Sequence, residues 1–344
     1  MTKLMPTTIV GSLPQPDWLV NKDIMLAHQP PRVRLKTIWR VEDQFLEEAQ
    51  DDATYKALRE QDASGLDILC DGEIRRESYF NRFANALGGI DIDNPAEVEG
   101  RNNTRQIVPR VISEIRRTTP VQVRDVEHMR ALTKKPIKIT MPGPFTMMRL
   151  AKDEFYNDKR ALLMAYAKAV NEEAHDLKKA GADVIQLDEP FVESFVEEAA
   201  EFALDGIAAA LKGIEGTTVI HVCFGYGHYV KIDKPNAYRF LAPLNECAAT
   251  QISIEAAQPR LDPTTLKILS KKQVMYGVLD LKDRAIETPD AVAARLRTAL
   301  KHIDADRLVV APDCGMKYIP HDIAYGKLRA MVAGADIVRK EIGG

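Results

Sequence analysis

The sequence predicts an α/β fold, because strand-like runs alternate with helical segments along its 344 residues. About eight runs are rich in β-branched and apolar residues, and most are followed by an amphipathic or charged helical stretch. Polar residues collect at the carboxyl ends of these runs. This combination is typical of a closed parallel (β/α)8 barrel, or TIM barrel, whose active site lies at the carboxyl ends of the strands. An open doubly wound sheet is the alternative, but no run is followed by a GxGxxG or P-loop motif.

The composition is that of an ordinary globular protein, with 45% hydrophobic and 28% charged residues. We expect residues 1–344 to form one domain, because barrels of this kind often reach that length. The net charge of −3 provides no overall field for nucleic acid or for an anionic membrane. The first residues contain only a short apolar stretch interrupted by Pro6, so we expect neither a signal peptide nor a membrane anchor, and a cytoplasmic location.

The first four predicted strands lie in the first 190 residues. Residues 7–12 (TTIVGS) form the first strand, and a charged amphipathic helix is predicted from about residue 32 to residue 65. Residues 66–73 (LDILCDGE) form the second strand. The third ends at Pro142, and the fourth, residues 182–190 (ADVIQLDEP), follows a long helical segment that ends at a glycine.

The remaining four predicted strands lie close together in the last third of the chain. A threonine cap, a first-turn proline and an acid at residues 288–290 begin the helix before the last strand. The four strands are residues 218–223 (TVIHVC), 250–256 (TQISIEA), 273–280 (QVMYGVLD) and 307–314 (RLVVAPDC).

Two stretches are additional to the strands and helices of a minimal barrel, and both follow the end of a predicted strand. Residues 13–31 are rich in proline and form an N-terminal extension. Residues 88–120 are polar and rich in turn-forming residues, with a hairpin predicted around residues 106–112. Because both follow strand ends, we expect them to lie over the barrel mouth as lid or substrate-contact loops. The alternative is that they are solvent-exposed loops with no role in the site.

Four candidate metal ligands lie at or near the ends of three late strands: His221, Cys223, Glu255 and Cys314. Side chains alternate across a strand, so His221 and Cys223 point to the same side, about 6–7 Å apart at the backbone. Imidazole, thiolate and carboxylate groups are the donors that Zn²⁺ takes in tetrahedral sites. A histidine or a cysteine taken singly is more often a buried packing residue, and the set of four therefore carries the prediction of a zinc site.

The donor set also indicates the type of chemistry. Two thiolates and a carboxylate would give the Zn²⁺ site a net charge of about −1, which quenches its ability to activate water. Such a site is suited to holding a substrate thiol as a reactive thiolate, which favours S-alkylation over hydrolysis. A purely structural zinc site is the alternative, although such sites more often use closely spaced CxxC pairs.

Seven motifs, in order, carry a resemblance to a known family: VGSLPQP, DILCDGE, KITMPGPFT, VIQLDEP, IHVC, ISIEA and APDCG. Together they resemble the catalytic C-terminal half of cobalamin-independent methionine synthase, over essentially the whole chain. The resemblance implies the same barrel, with homocysteine as the thiol substrate. It also implies zinc bound by His221, Cys223, Glu255 and Cys314.

The resemblance further implies a site for the polar end of the amino acid, formed by Val10, Gly11, Ser12, Glu73 and Asp188. Two carboxylates can pair with a substrate ammonium, and backbone N–H groups near the glycine can bind its carboxylate. The competing interpretation of Glu73 is an internal salt bridge to Arg75 or Arg76.

The sequence departs from the family where the methyl donor is bound. Leu150 stands where the family has a tryptophan that stacks on the pterin, and Lys282 stands where the family has a histidine that protonates the departing folate. Arg105 and Gln106 match the step of the family that contacts the pteridine. The donor is therefore left open between a methylfolate bound differently, a methyl-corrinoid and a methyl group delivered with a partner protein.

The leading hypothesis is a zinc-dependent S-methyltransferase that makes methionine from homocysteine, with Glu73, Asp188 and Lys282 as candidate catalytic residues. Alkyl transfer to another thiol, such as the opening of an epoxide by a thiol cofactor, is an alternative within the superfamily. A non-catalytic, zinc-stabilised binding subunit is an alternative of another class. Decarboxylation of a tetrapyrrole by a related metal-free barrel is a further one, and the four candidate ligands argue against it.

Overall fold

A computed structural model describes residues 3–28, 30, 32–101, 104–226 and 233–343. The strands in chain order are β1 (Leu69–Cys70), β2 (Gly88–Glu99), β3 (Arg105–Arg116), β4 (Ile137–Pro142), β5 (Lys152–Asp153), β6 (Val184–Asp188), β7 (Thr217–Val222), β8 (Gln251–Ile254), β9 (Gln273–Gly277) and β10 (Leu308–Ala311). Seven of them form one parallel sheet in the order β1, β4, β6, β7, β8, β9, β10. The predicted α/β class with a parallel, curled sheet is thus confirmed.

The helices in chain order are α1 (Lys22–Ala27), α2 (Asp43–Ala63), α3 (Asn81–Ala84), α4 (Val123–Leu132), α5 (Pro144–Arg149), α6 (Lys159–Lys179), α7 (Val196–Ala210), α8 (Leu241–Asn245), α9 (Pro289–Ala299) and α10 (His321–Glu341). Short 3-10 helices precede β9 and β10. The strands of the sheet are buried along almost their whole length, as expected for parallel strands covered by helices. None of the helices in the described part of the chain is long and apolar enough to cross a membrane.

The predicted first strand, residues 7–12, lies between the two edges of the sheet. Thr7 forms an isolated parallel bridge with Val310, and the Thr8 N–H donates to the Val310 carbonyl at 3.0 Å. On the other side, the N–H groups of Asp67 and Ile68 donate to the Thr7 carbonyl at 3.0 and 3.1 Å. The segment thus contacts both edges of the sheet through few hydrogen bonds, and it forms no regular strand in the structure.

Residues 88–120 differ from the predicted loop, because most of them form a long antiparallel hairpin of β2 and β3. Each strand has 12 residues, so the hairpin extends well beyond the segment around residues 106–112 that was predicted. Val108, Val111 and Ile115 are buried on β3, and β5 joins its edge. These apolar residues form the buried face of the hairpin. The prediction of a loop was based on the polar residues of the segment and did not include this face.

The N-terminal extension is also more ordered than a proline-rich loop. Leu13, Leu19 and Val20 are buried, and α1 begins after Asn21, whose side chain accepts hydrogen bonds from two N–H groups of the first turn. Residues 29 and 31 of the predicted extension lie outside the described part of the chain.

Candidate active site

His221, Cys223 and Cys314 come together at the carboxyl end of the sheet. One ligand atom from each lies within 4.8 Å of the others, and all three residues are buried. The Cys314 sulfur is 3.9 Å from Nε2 of His221. His221 lies in β7, and Cys223 is the first residue after that strand. Cys314 lies after the end of β10. Because parallel strands end at the same edge, residues 93 positions apart in the sequence become neighbours.

The hydrogen bonds and charges around this cluster favour the binding of a cation. Nδ1 of His221 lies 2.9 Å from Oγ of Ser253, which leaves Nε2 directed at the cysteines. A hydrogen bond from the Cys314 thiol, together with His221, holds the pKa of Cys223 well below its usual value. The same pairing, together with burial, raises the pKa of Cys314 well above its usual value. One imidazole and two thiols at this spacing fit the donor preferences of Zn²⁺.

Glu255, the fourth predicted ligand, lies outside this three-residue group in the structure. Its Oε2 is 2.5 Å from the Lys234 ammonium, and its Oε1 accepts the Phe224 N–H at 3.1 Å. Burial raises the pKa of Glu255 to about 8, while Lys234 acts in the opposite direction. The structure therefore gives this carboxylate a protein cation as its partner. The sequence analysis did not identify Lys234.

Glu73 is a buried carboxylate whose hydrogen-bonding capacity the described residues satisfy only in part. Its backbone lies in the left-handed region, with φ of +54°, which is costly for a residue with a side chain. Oε1 accepts the Thr140 hydroxyl at 3.2 Å, but the buried Oε2 has no hydrogen-bond partner among the described residues. Burial raises the pKa of this carboxyl group. Arg76, the proposed internal partner, is closer to Asp71, at 3.0 Å, than to Glu73, at 3.9 Å.

Asp188 lies next to the cluster of His221, Cys223 and Cys314, because β6 pairs with β7 in a register that places it beside His221. Gln186 donates to its Oδ1 at 2.8 Å. Burial raises the pKa of Asp188 to about 7. The neighbouring Glu189 has a structural role instead: it accepts the N–H groups of Phe145 and Thr146 at the start of α5.

Residues 10–12 pass directly beside Glu73. A Cβ atom on Gly11 would lie 2.6 Å from Oε1 of Glu73, so only glycine permits this close approach. The Val10 side chain joins a small apolar cluster with side chains of four strands of the sheet, and its carbonyl accepts from Lys138 at 3.0 Å. The Ser12 hydroxyl lies 3.4 Å from that of Tyr226.

The residues proposed from the family to contact the methyl donor have other partners in the structure. Arg105 is 82% exposed and pairs with Glu97, and the Gln106 amide donates to the Thr104 hydroxyl. Lys282 is half exposed and pairs with Asp233. Leu150 is fully buried and so presents no surface on which a flat ring could stack.

Arg101, at the tip of the β2–β3 hairpin, is a site residue that the sequence analysis missed. Its guanidinium lies over the Phe191 ring, 4.8 Å from the centroid, and it interacts with Cys223. Its buried Nη1 atom has no hydrogen-bond partner among the described residues. No local motif marks this arginine, because only the pairing of the two long strands brings it to the candidate metal-binding cluster.

The fold and the site together define an α/β protein with a thiolate-rich candidate metal centre at the carboxyl edge of a parallel sheet. The family model described as the cobalamin-independent synthase catalytic domain matches residues 5–337, and the chain belongs to this family.

Named relatives agree with this assignment. The chain is 33% identical over 341 residues to a methionine synthase of Sulfurisphaera tokodaii, covering 98% of this chain and 94% of the relative. A methionine synthase of Saccharolobus solfataricus is 31% identical over 345 residues, with 98% and 96% covered.

Solved structures show the same relationship. The B12-independent methionine synthase of Shewanella sp. W3-18-1, in complex with selenomethionine, superposes with a TM-score of 0.87 at 33% identity, over 98% of this chain and 99% of the other. A putative vitamin-B12 independent methionine synthase of Listeria monocytogenes, with a TM-score of 0.70 and 19% identity over 96% of both chains, shares the fold.

Proposed function

We propose that the protein is a zinc-dependent S-methyltransferase that converts homocysteine to methionine. The observation that carries this proposal is the convergence of His221, Cys223 and Cys314 beside two buried carboxylates, in a chain of the cobalamin-independent synthase family. The arrangement supplies donors for a metal ion and acidic groups for an amino acid within one site.

The metal-binding role is assigned to His221, Cys223 and Cys314, with Glu255 as the candidate fourth donor. Bound Zn²⁺ would supply the positive charge that lowers the pKa of a substrate thiol. Ser253 fixes the orientation of the His221 ring, and the burial of the cluster excludes water from the reacting sulfur.

Glu73 and Asp188 are assigned to the substrate ammonium. The free Oε2 of Glu73 and the raised pKa values of both carboxyl groups support this role, because a bound cation would favour their ionised forms. Backbone N–H groups near Gly11 and Ser12 are assigned to the substrate carboxylate. Held at both groups, the amino acid would direct its sulfur at the methyl carbon, and the new S–C bond would form in line as the bond to the donor breaks.

The methyl donor is assigned to the part of the site near the tip of the β2–β3 hairpin. Arg105, Gln106 and Lys282 remain proposed contacts of the donor. A methylfolate, a methyl-corrinoid and a methyl group delivered with a partner protein are the three sources to compare. Alkyl transfer to another small thiol would use the same donor set and is the alternative reaction.

We also propose that residues 7–12 are the eighth strand and close the sheet into a barrel within a single domain. The hydrogen bonds of Thr7 and Thr8 to both edges of the sheet support this closure. One hydrophobic core that includes residues from Met5 to Val338 supports the single domain. The proposed location is the cytoplasm.

The direct test is methionine formation from homocysteine with methylfolate, methylcobalamin and cell extract compared side by side, with zinc analysis of the same sample. Cys314→Ser should lose bound zinc and activity together. Cys247→Ser is the matched control, since Cys247 is also a buried thiol but lies outside the cluster. Absence of zinc from the purified protein, or no methionine with any donor, would contradict the proposal.

Removal of the metal separates catalysis from the non-catalytic, zinc-stabilised alternative. His221 lies in β7, and the two cysteines follow β7 and β10, which the sheet already holds by hydrogen bonds. A chelator should therefore abolish activity while the thermal midpoint falls by only a few degrees. A collapse of the fold on chelation, measured by circular dichroism, would favour the structural alternative.

A further inference from the structure

Lys138, on β4, is a buried lysine close to the groups assigned to the amino acid. Its ammonium donates to three oxygen atoms: the carbonyl of Ile9, the carbonyl of Val10 at 3.0 Å and Oε1 of Gln186 at 2.7 Å. An ammonium group has three N–H donors, so these oxygens match its full capacity. Burial lowers the pKa of Lys138 to about 8, and the amine is therefore still largely protonated at pH 7.

On one side, Lys138 holds the segment whose N–H groups are assigned to the substrate carboxylate. The carbonyls of Ile9 and Val10 stand immediately before these N–H groups in the chain. Among the described residues, the hydrogen bonds to these two carbonyls come from side chains, and Lys138 donates to both. In a regular parallel strand, a neighbouring backbone would supply such bonds. The lysine therefore replaces part of the hydrogen-bond ladder that residues 7–12 lack.

On the other side, Lys138 acts on Asp188 through Gln186. Oε1 of Gln186 accepts from the lysine, so the amide NH2 group is left to donate to Oδ1 of Asp188, at 2.8 Å. Gln186 is fully buried, and its strand β6 pairs directly with β4. Without the lysine, the amide would be free to turn its oxygen toward the carboxylate, and the two groups would then repel each other. The orientation of this amide thus depends on Lys138.

We propose that Lys138 is a positioning residue that holds the carboxylate-binding segment and the ammonium-binding Asp188 in a fixed relative position. The two parts come from distant regions of the chain, and one buried cation is hydrogen-bonded to the first and, through Gln186, to the second. The inference rests on the proposed homocysteine methyltransferase function. It adds to that function a residue that makes the site selective for a thiol with both an ammonium and a carboxylate.

Calorimetry of the zinc-loaded protein with three thiols tests this role. Homocysteine carries both charged groups, 4-mercaptobutyrate lacks the ammonium, and 3-mercaptopropylamine lacks the carboxylate, while each offers the same sulfur to the metal. Because the sulfur is common to all three, differences between their Kd values report the recognition of the charged groups.

Lys138→Met removes the ammonium from both parts of the site. Methionine has a similar length and suits the Met275 sulfur, which lies 3.9 Å from the ammonium nitrogen. Each thiol with a single charged group should bind about fivefold more weakly, which corresponds to the loss of one well-placed hydrogen bond. Homocysteine should bind about 25-fold more weakly, because both of its groups are affected.

Gln186→Met interrupts only the connection to Asp188. Homocysteine and 3-mercaptopropylamine should each bind about fivefold more weakly. The Kd of 4-mercaptobutyrate should stay within about twofold, because Lys138 still holds the two carbonyls. Equal effects on the two thiols with a single charged group, or no effect on either, would overturn the proposal. This variant retains the lysine and so decides the question even where Lys138→Met does not fold.

Lys272→Met is the matched control for the loss of a buried lysine. Lys272 also donates to two carbonyls, those of Cys247 and Ala249, but it lies directly before β9, at the opposite edge of the sheet from the candidate site. Its loss should leave the Kd of all three thiols within about twofold. An effect as large as that of Lys138→Met would contradict a specific role for Lys138.

Zinc content separates positioning of the amino acid from general damage to the site. It should be the same in all variants, because the hydrogen bonds of Lys138 and Gln186 go to groups other than the candidate ligands. Loss of zinc from a folded Lys138→Met protein would overturn the proposal. An unsubstituted protein that binds no zinc, or zinc but no homocysteine, overturns the proposed function itself. Homocysteine binding that Lys138→Met changes by less than about threefold overturns the role of Lys138 alone.

Discussion

Individual hydrogen bonds orient the side chains of the candidate site. Ser253 holds Nδ1 of His221, Gln186 holds Asp188, and Thr140 holds one oxygen of Glu73. Each of these supporting residues lies inside a strand, where its rotamer is fixed by packing. The remaining atoms of these three side chains are the ones that we propose to contact the substrate and the metal.

Ser253→Ala tests the support of the histidine ligand. Among the described residues, Ser253 is the only side chain that hydrogen-bonds the His221 ring on the side away from the cysteines, and the variant removes it. Zinc affinity should fall about tenfold or more, because the orientation of the ring is no longer fixed. The measurement is chelator competition, and the exposed Ser270→Ala is the control. Equal zinc affinity in the two variants would show that Ser253 does not support the ligand.

The residue types that carry the chemistry were predictable, but their partners were not. His221 and Cys223 follow from strand alternation, and Cys314 follows from its place after a parallel strand. Glu255 pairs with Lys234, which lies 21 positions earlier, and no local pattern encodes the path of the chain between them.

The β2–β3 hairpin is the element that most distinguishes the molecule from a plain alternation of strands and helices. Its tip brings Arg101 over Phe191, whose ring stacks on Phe195 with the planes 4° apart. The Arg149 guanidinium lies over the Phe195 ring, 3.6 Å from its centroid. This stack of two arginines and two phenylalanines joins the hairpin to the loops around the site.

Arg149→Ala should loosen the hairpin. Arg149 also pairs with Glu198 at 2.9 Å and donates to the Glu99 carbonyl at 3.5 Å, at the end of β2. We expect hydrogen exchange of the β2–β3 amides to accelerate about tenfold, with a loss of about 1 kcal/mol in the free energy of unfolding. Arg116→Ala, which removes an exposed arginine on β3, is the control. Unchanged hairpin exchange in Arg149→Ala would contradict a role for the stack in holding the hairpin.

At the scale of the whole molecule, Asp67 joins the start of the chain to its end. Its carboxylate accepts from Lys3 at 2.8 Å, from the N–H and hydroxyl of Thr7 at 2.8 Å each, and from Arg339 of α10 at 2.7 Å. Residues 272 positions apart in the sequence are thus held beside the first strand of the sheet. This contact secures the segment that we propose as the eighth strand.

Asp67→Asn should lower the free energy of unfolding by about 2–3 kcal/mol at pH 7, since it weakens charge-assisted hydrogen bonds at a largely buried site. Burial opposes ionisation of Asp67, but its partners outweigh burial and lower the pKa below the ordinary 3.8. A lowered folded-state pKa stabilises the protein above about pH 4, and the contribution is lost as the pH falls through the folded value.

Urea unfolding at pH 7, 5 and 3.5 measures this dependence. The deficit of Asp67→Asn should be equal at pH 7 and 5 and should shrink at pH 3.5, with the exposed Asp17→Asn as control. A deficit that persists undiminished at the lowest pH would show that the carboxylate charge is not the source of the stability.

The sequence by itself determined the α/β class and the order of the parallel strands. It also predicted four candidate ligands, of which His221, Cys223 and Cys314 meet at the strand ends in the structure. These depend on local periodicity and on the common edge that parallel strands share. Only the tertiary structure decided that the hairpin extends over the whole of β2 and β3, that its tip carries Arg101 to the site and that Lys234 holds Glu255. Those contacts join distant segments, and their geometry arises from the packing of the whole chain, which no short stretch of residues specifies.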